Sequence, residues 1–322
     1  MTDRFTLTRR LAHDHLARTL RADVTAGLTG TPKTLPPKWF YDARGSALFD
    51  EITRLPEYYL TRAEREILTA HCAEIAALSG ARTLAELGSG SSEKTRLLLD
   101  ALAPALHTYA PLDVSPSALR EAGQALVRDY PGLTVAATVA DFETSLELPD
   151  TPGPHLLAFL GSTVGNLDAA QRAAFFTSVR GALGERDALL LGADLVKDTP
   201  TLHRAYDDER GVTAEFNKNV LLVLNRELDA DFDPGAFTHR AVWNAAEERV
   251  EMHLRSAAAQ QVKIPALDLL VAFEAGEDLR TEISVKFRPG ALIGELAAAG
   301  LTVHRWWTDP GERFALLLAF PG

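Results

Sequence analysis

Short apolar runs alternate with segments of helical periodicity from residue 83 onward. This order is typical of a parallel β-sheet whose strands are connected by crossover helices. A further helix is predicted to begin at Pro116 after the capping residue Ser115, because proline lacks an amide hydrogen that would have no partner in the first turn. The alternation therefore predicts an α/β fold. It places strands at 83–87, 108–114, 133–140, 156–160 and 188–191, and helices at 91–103 and 168–183.

The pattern changes after residue 194. Helical segments at 201–208 and 212–228 are followed by strand-like runs at 237–243, 250–255, 267–273 and 280–287. Successive strands with short connections predict an antiparallel sheet, and hence a second, α+β domain inserted into the first. The last run alternates strictly, which predicts an apolar face with Ile283, Val285 and Phe287 and a polar face with Glu282, Ser284 and Lys286.

The C-terminal segment resumes the first pattern, with a helix predicted at 290–299 and strands at 301–308 and 313–320. The turn sequence Asp309-Pro310-Gly311 predicts that the two strands form an antiparallel hairpin. One domain is therefore predicted to comprise 62–197 and 287–322, and a substrate-binding domain 1–61 and 198–286. An active site is expected between the two domains.

Composition and charge exclude several classes of partner. The chain has 322 residues, of which 46% are hydrophobic, so it can bury its own core and is expected to be a monomer. No apolar run is long enough for a membrane span, and residues 1–10 are too polar for a secretion signal, so a cytoplasmic location is expected. The net charge of -11 without a basic cluster argues against binding to nucleic acid or to anionic membranes.

Cysteine and histidine usage argues against disulfides and metal sites. Cys72 is the single cysteine of the sequence. The nine histidines lack the spacing of metal ligands, the closest pair being His13 and His15. We interpret these histidines as surface residues and expect no metal.

The sequence Glu86-Leu87-Gly88-Ser89-Gly90 ends the first predicted strand of the sheet. A Gly-x-Gly at this place is compatible with a dinucleotide, with S-adenosylmethionine (SAM), or with a simple tight turn. ATP is disfavoured because no Gly-Lys-Ser/Thr follows, and NAD is disfavoured because Glu93 stands where a third glycine is needed. SAM has no phosphate, so acidic residues in this loop are compatible with it.

Residues near the ends of three successive strands suit the parts of SAM. Lys94 can pair with the methionine carboxylate, and Asp113 is placed to accept from both ribose hydroxyls. Asp141 can accept from the adenine amino group while the ring of Phe142 packs on the base. Together with the closing hairpin, these residues predict a Rossmann-like SAM-dependent methyltransferase fold.

Seven motifs spread over nearly the whole chain resemble the histidine-specific methyltransferases of ergothioneine biosynthesis. They are Pro36-Pro37-Lys38-Trp39-Phe40-Tyr41-Asp42, Leu55-Pro56-Glu57-Tyr58-Tyr59, Glu86-Leu87-Gly88-Ser89-Gly90, Phe159-Leu160-Gly161-Ser162-Thr163-Val164-Gly165-Asn166-Leu167, Ala205-Tyr206-Asp207, Glu282-Ile283-Ser284 and Trp306-Trp307-Thr308-Asp309-Pro310. This family uses SAM to trimethylate the α-amino group of L-histidine, giving hercynine. The resemblance implies the same reaction here.

The resemblance also assigns roles to individual residues. For SAM it implies Gly88, Lys94, Asp113, Asp141 and Phe142, with Tyr41 and Phe49 covering the cofactor. For histidine it implies Asn166 and Tyr206 at the carboxylate and Tyr58 at the amino nitrogen, where it acts in catalysis. The Glu282-Ile283-Ser284 motif, through Glu282 and Ser284, is implied at the imidazole, with Met252 beside the ring.

Without the resemblance, we would interpret the polar face with Glu282 and Ser284 as exposed to solvent. Three alternative functions stay open at this point. They are an N-methyltransferase for another aromatic amino acid, a SAM-binding module without turnover, and a dehydrogenase.

Overall fold

The computed structural model describes residues 4–90, 92, 94–142 and 146–322. Ser91 and Glu93, which entered the helix prediction and the argument against NAD, lie outside this part of the chain. The strands are β1 (Phe5–Arg9), β2 (Lys33–Thr34), β3 (Thr83–Leu87), β4 (Thr108–Asp113), β5 (Thr134–Val139), β6 (His155–Phe159), β7 (Ala188–Asp194), β8 (Phe237–Asn244), β9 (Arg249–Ser256), β10 (Gln260–Ile264), β11 (Leu269–Phe273), β12 (Asp278–Val285), β13 (Leu301–Thr308) and β14 (Phe314–Pro321). The helices are α1 (His15–Thr29), α2 (Ala43–Ile52), α3 (Leu60–Ser79), α4 (Thr95–Leu102), α5 (Pro116–Asp129), α6 (Ala169–Ala182), α7 (Thr199–Tyr206), α8 (Val212–Leu228) and α9 (Pro289–Ala298).

The chain divides into two compact units. The first unit comprises Met1–Ala12, Leu60–Leu195 and Phe287–Gly322, and the second comprises His13–Tyr59 and Val196–Lys286. The predicted boundaries placed residues 1–61 in one domain. In the structure, however, β1 pairs in parallel with β5, so this strand lies with the first unit. The roles predicted for the two domains stay predictions.

The first unit is built on an eight-stranded sheet with the order β1-β5-β4-β3-β6-β7-β14-β13. The pairs from β1 to β7 are all parallel, whereas β14 is antiparallel to both β7 and β13. The inner strands β3 and β7 are mostly apolar and are buried at every residue, as expected of parallel strands covered on both faces. The predicted α/β class and the closing hairpin are both confirmed.

Most predicted elements are present, with small shifts at their ends. The limits of β3, α8 and β13 are those predicted, and Ser115 caps α5 by accepting a hydrogen bond from the backbone of Ala118. The predictions did not include β10, which pairs with β11 in a separate hairpin. They also assigned nothing before residue 83, where α1, α2 and α3 are found. In the described residues, no helix is long and apolar enough to cross a membrane.

The second unit contains a four-stranded sheet with the order β2-β12-β9-β8. Its pairs β12–β9 and β9–β8 are antiparallel, and the short β2 is parallel to β12. Helices α2 and α8 pack together, and α8 also packs on β8 and β9. This arrangement is the α+β architecture expected from the run of successive strands.

A register shift in β12 changes which of the two faces of this strand is buried. The pairing with β9 shifts between Arg280 and Glu282, so Thr281 is an extra residue. Before the shift the buried side chains are Leu279 and Thr281, whereas after it they are Ser284 and Lys286. Ile283 and Val285 are only half-buried. The interpretation of the polar face as exposed to solvent is therefore wrong, because a bulge exchanges the buried and exposed faces of a strand.

Candidate active site

The loop after β3 has a backbone that only glycine adopts without strain at two positions. Gly88 and Gly90 have φ angles of +63° and +50°. A Cβ atom at either position would meet no atom of the described residues within 4 Å. Both glycines therefore combine a left-handed conformation with open space, which allows a ligand to approach the backbone closely.

Acidic residues lie at the ends of β4 and β5, the next two strands on one side of β3. Asp113 ends β4 and accepts hydrogen bonds from the backbone N–H of Ser115 at 2.9 Å and of Gly90 at 3.4 Å. Burial raises the pKa of Asp113, and these backbone donors partly oppose the rise. Asp141 is buried after β5. Next to it, Phe142 makes edge contacts with the rings of Phe159 and Phe175.

Lys94 is paired with a buried carboxylate that the sequence patterns did not reveal. Glu64 on α3 is 0% exposed and forms an ion pair with the Lys94 ammonium. Its other oxygen accepts from the backbone N–H of Gly161 at 2.7 Å. Gly192 on β7 leaves room for this carboxylate, since a Cβ there would lie 2.3 Å from Glu64 Oε1. Glu64 thus connects helix α3 to the loops after β3 and β6.

A second buried carboxyl, Glu86, lies on β3 two residues before Gly88. It accepts hydrogen bonds from the Tyr109 hydroxyl at 2.5 Å and from Thr95 Oγ1 at 2.7 and 2.9 Å. Tyr109 is also hydrogen-bonded to Ser92 in the glycine loop. Burial raises the pKa of Glu86 to about 7 against the lowering effect of these hydrogen bonds. Hydrogen bonds through Tyr109 therefore connect the glycine loop to the titratable carboxyl of Glu86.

The second unit contains a continuous cluster of aromatic rings. Successive ring centroids are 5.6 Å apart for Tyr41–Phe49, 6.1 Å for Phe49–Tyr58 and 6.4 Å for Tyr58–Tyr206. Phe216 on α8 packs against Tyr41 and Phe49. The structure thus brings together four residues that the sequence selected: Tyr41, Phe49, Tyr58 and Tyr206.

A buried polar group adjoins this cluster. The hydroxyls of Tyr206 and Ser284 are 2.8 Å apart, and the Lys286 ammonium donates to both, at 2.7 and 2.8 Å respectively. Glu282 is on the same side of β12 as Ser284, with Met252 opposite it on β9. Ile283 is on the other side, opposite Glu251, so the structure does not bring its side chain together with the other selected residues.

Tyr206 is also held through its backbone. His239 Nε2 donates to the Tyr206 carbonyl at 2.9 Å, while His239 Nδ1 accepts from the Asn217 amide at 2.8 Å. Burial lowers the pKa of His239, so the neutral ring is favoured. Interpreting all histidines as surface residues is therefore wrong for His239, which is buried.

Asn166 is the selected substrate residue that belongs to the first unit. It ends a 3-10 helix at Thr163–Asn166, which follows β6. Ser162, just before this helix, has a φ angle of +59° and accepts a hydrogen bond from the backbone of Asp194 at 2.9 Å. This bond ties the start of the helix to the end of β7.

Comparison with known proteins shows to which family this chain belongs. The family described as "Histidine-specific methyltransferase, SAM-dependent" matches residues 20–321. The chain belongs to this family. The match extends over both units, so it does not depend on the glycine loop alone.

Three relatives illustrate the range of similarity. A "Histidine N-alpha-methyltransferase" of Mycolicibacterium smegmatis is 57% identical, over 96% of this chain and 97% of its own length. "Ergothioneine biosynthesis protein 1" of Neurospora crassa is 38% identical over 60% of this chain, which corresponds to 23% of that larger protein. A "4-dimethylallyltryptophan N-methyltransferase" of Penicillium roqueforti is 30% identical over 89% of both chains.

The residues of the first unit fit SAM, the methyl donor of this family. The open space above Gly88 and Gly90 accommodates a ligand against the backbone. The neighbouring groups on Asp113 and Asp141 are hydrogen-bond acceptors, which suits ribose hydroxyls and an adenine amino group. The Gly90 hydrogen bond joins Asp113 to the loop, so this acceptor lies beside the loop.

Sequence patterns missed three polar residues of these sites: Glu64, Glu86 and Lys286. Glu64 is in a helix that no pattern before residue 83 indicated. Glu86 was noted only as part of a glycine motif, and Lys286 only as one residue of a polar face. A charged residue inside a strongly apolar run was the signal for Glu86, because such residues are almost never buried without partners.

We expect Gly88→Ala to lower the free energy of unfolding by about 1–2 kcal/mol through backbone strain, since the added Cβ meets no described atom. Urea unfolding measures this loss. Gly132→Ala is the matched control, because Gly132 also has open space around its Cβ position and has no left-handed φ angle. Equal losses in both variants would contradict the strain argument.

We expect Glu86→Gln to change how stability depends on pH. With its pKa raised to about 7, Glu86 binds its proton more tightly in the folded than in the unfolded state. Its contribution to stability is complete below about pH 4 and is lost as the pH rises through 7. Between pH 5 and 8 the wild type should therefore lose on the order of 3 kcal/mol relative to Glu86→Gln.

Urea unfolding at a series of pH values checks this, with Glu121→Gln as the control at an exposed carboxylate. Parallel stability curves for wild type and Glu86→Gln would show that burial does not perturb Glu86.

Proposed function

We propose that this protein transfers three methyl groups from SAM to the α-amino nitrogen of L-histidine, producing hercynine for ergothioneine biosynthesis. One observation carries the proposal. In a chain of the histidine-specific family, buried hydroxyls on Tyr206 and Ser284 lie beside a cluster of aromatic rings in the second unit. Polar groups that are few, buried and next to aromatic surface suit a small polar ring compound.

We assign the methyl donor to the edge of the sheet in the first unit. SAM supplies an electrophilic methyl group on a sulfonium when it is bound. Gly88 admits the ligand to the backbone, and Asp113 and Asp141 accept hydrogen bonds from its ribose and adenine. Phe142 offers an apolar surface to the base, and Lys94, oriented by Glu64, offers donors to the methionine carboxylate. Tyr41 and Phe49 are proposed to cover the cofactor.

The substrate amine must present a lone pair to the methyl carbon, since methyl transfer is an in-line displacement. An α-amino group is mostly protonated at neutral pH, because its pKa is about 8 in peptides and higher in a free amino acid. A phenol is a poor base at this pH. We therefore assign the proton to water and assign Tyr58 the task of orienting the amine through its hydroxyl.

The aromatic cluster suits the product as well as the substrate. Each transfer adds a methyl group, and the third leaves a permanent cation that donates no hydrogen bonds. Aromatic faces attract such cations by about 0.5–2 kcal/mol. Tyr58 contributes a ring to the cluster, with Phe49 and Tyr206 on either side. The same rings can therefore accompany the nitrogen through all three methylations.

The imidazole and carboxylate of histidine are assigned to polar groups of known position. Glu282 and Ser284 lie on one side of β12, so each can form a hydrogen bond with one nitrogen of the imidazole ring. Met252, opposite Glu282, is proposed to pack beside the ring. Asn166 and Tyr206 are assigned to the carboxylate. A ring without nitrogen would offer no hydrogen-bonding group to Glu282 and Ser284, which disfavours phenylalanine.

Mass spectrometry of L-histidine incubated with the protein and SAM tests the function. We expect products that gain one, two and finally three methyl groups. L-tryptophan and L-tyrosine in parallel reactions test the alternative of another aromatic substrate, which the similarity to a 4-dimethylallyltryptophan N-methyltransferase favours. Methylation of tryptophan but not of histidine would overturn the proposal. SAM binding without demethylated product would instead identify a module without turnover.

We expect Tyr58→Phe to retain SAM affinity and to lower the rate of methyl transfer about tenfold, because the amine loses a hydrogen bond of roughly 1–2 kcal/mol that directs it. Single-turnover kinetics and calorimetry with SAM separate the two quantities. Tyr59→Phe is the matched control, since Tyr59 is also buried and keeps its ring beneath the Lys197 ammonium. An unchanged rate in Tyr58→Phe would remove the orienting role.

A further inference from the structure

Arg172 is a buried arginine on helix α6, which follows Asn166 closely in the chain. This residue is only 6% exposed. Its Nε and Nη2 atoms donate to the two carboxylate oxygens of Glu295 on α9, at 2.8 and 2.7 Å. The remaining nitrogen, Nη1, donates to the backbone carbonyl of Leu167 at 2.9 Å. The guanidinium therefore connects α6 and α9 to the residue that comes directly after Asn166.

Leu167 is the one residue between the turn that carries Asn166 and the cap of helix α6. The 3-10 helix ends at Asn166, and Asp168 is the N-cap of α6. In a longer α-helix the Gln171 N–H would reach the Leu167 carbonyl, but here it donates to the Asp168 side chain at 2.9 Å. Arg172 therefore supplies the Leu167 carbonyl with a hydrogen bond in place of the helix backbone.

The start of the same turn is connected to the region around Arg172. Ser162, just before the turn, accepts from the backbone N–H of Asp194 at 2.9 Å. The Asp194 carbonyl accepts from the Phe287 N–H at 2.8 Å. The guanidinium of Arg172 lies 5.4 Å from the centre of the Phe287 ring. Phe287 thus contacts both of the groups that hold the two ends of the turn.

The pairing with Glu295 fixes the direction of the third donor of Arg172. Two parallel hydrogen bonds to one carboxylate hold a guanidinium in the plane of that carboxylate. Because the guanidinium is rigid, Nη1 then points in one direction, toward the Leu167 carbonyl. A buried ion pair often adds little net stability, since both groups lose water. The consequence of this pair is therefore mainly geometric.

We propose that Arg172 is a positioning residue that, through the Leu167 carbonyl, holds Asn166 in place to bind the carboxylate of the amino-acid substrate. This inference rests on the proposed function, because that function assigns Asn166 to the carboxylate. The amide of Asn166 can donate to a carboxylate, and hydrogen bonds weaken steeply when they are misaligned. A small displacement of the turn is therefore enough to weaken substrate binding.

A double-mutant cycle with Arg172→Met and Asn166→Ala tests the inference. Calorimetry measures L-histidine binding to protein saturated with S-adenosylhomocysteine, the demethylated form of SAM, so that no transfer occurs. We expect each single variant to bind L-histidine about tenfold more weakly than the wild type. The double variant should bind no more than about twofold more weakly than Asn166→Ala, because Arg172 acts through the amide that is already missing.

Two further variants make the cycle specific. Glu295→Gln leaves Arg172 in place but removes one of the two parallel bonds, so it should weaken L-histidine binding about threefold, and only where Asn166 is present. Its affinity for S-adenosylhomocysteine should stay within about twofold of the wild type, as should that of Arg172→Met, because the cofactor is assigned to other loops. Arg180→Met is the control, since Arg180 lies in the last turn of the same helix.

The possible failures are distinguishable. A wild type that does not bind L-histidine would overturn the proposed function, and this inference with it. Unchanged L-histidine affinity in folded Asn166→Ala, or equal tenfold losses from Arg172→Met with and without Asn166, would overturn the inference and leave the function standing. Equal weakening of both ligands would identify a general structural role and would also overturn it. Urea unfolding curves establish that each variant is folded, and Glu295→Gln replaces Arg172→Met in the cycle if the latter does not fold.

Discussion

Parallel pairing of β3 with β4 and β6, and of β4 with β5, is the constraint on which the first unit depends. Strands that run in one direction end at one edge of the sheet, so the residues that follow them meet there. Gly88, Asp113 and Asp141 are separated along the chain, yet they follow three adjacent strands. A different strand order would leave the same residues without a common site.

Buried charged groups fix the geometry at this edge of the sheet, and this role is separate from any contribution to the free energy of unfolding. Glu64 is buried, and its two oxygens are used by the Gly161 N–H and the Lys94 ammonium. A buried ion pair often contributes little net stability, because both charges lose water, but removing one partner leaves the other uncompensated. The pair therefore holds helix α3 and two loops in one arrangement. Glu86 likewise fixes the position of the glycine loop, through the hydrogen bonds that it accepts from Tyr109 and Thr95.

In the second unit, a single extra residue in β12 determines which groups are buried. Thr281 shifts the register, so Ser284 and Lys286 are buried instead of Ile283 and Val285. The exchange buries the ammonium group of Lys286, which donates hydrogen bonds to two hydroxyls. Through the ring contact between Tyr206 and Tyr58, this polar group adjoins the aromatic cluster that includes Phe49 of α2 and Phe216 of α8. These rings supply a large apolar contact area.

The α/β class, the inserted antiparallel strands, the closing hairpin and the residues at the strand ends could all be predicted from the sequence. These follow from local periodicity and turn chemistry, which neighbouring residues set directly. The motifs also indicated the family. The folded structure was needed to show that Glu64 pairs with Lys94, that His239 is buried, and that Lys286 donates hydrogen bonds to Tyr206 and Ser284. Such contacts join residues far apart in the chain, and the bulge at Thr281 depends on pairing with β9, so no local pattern encodes them.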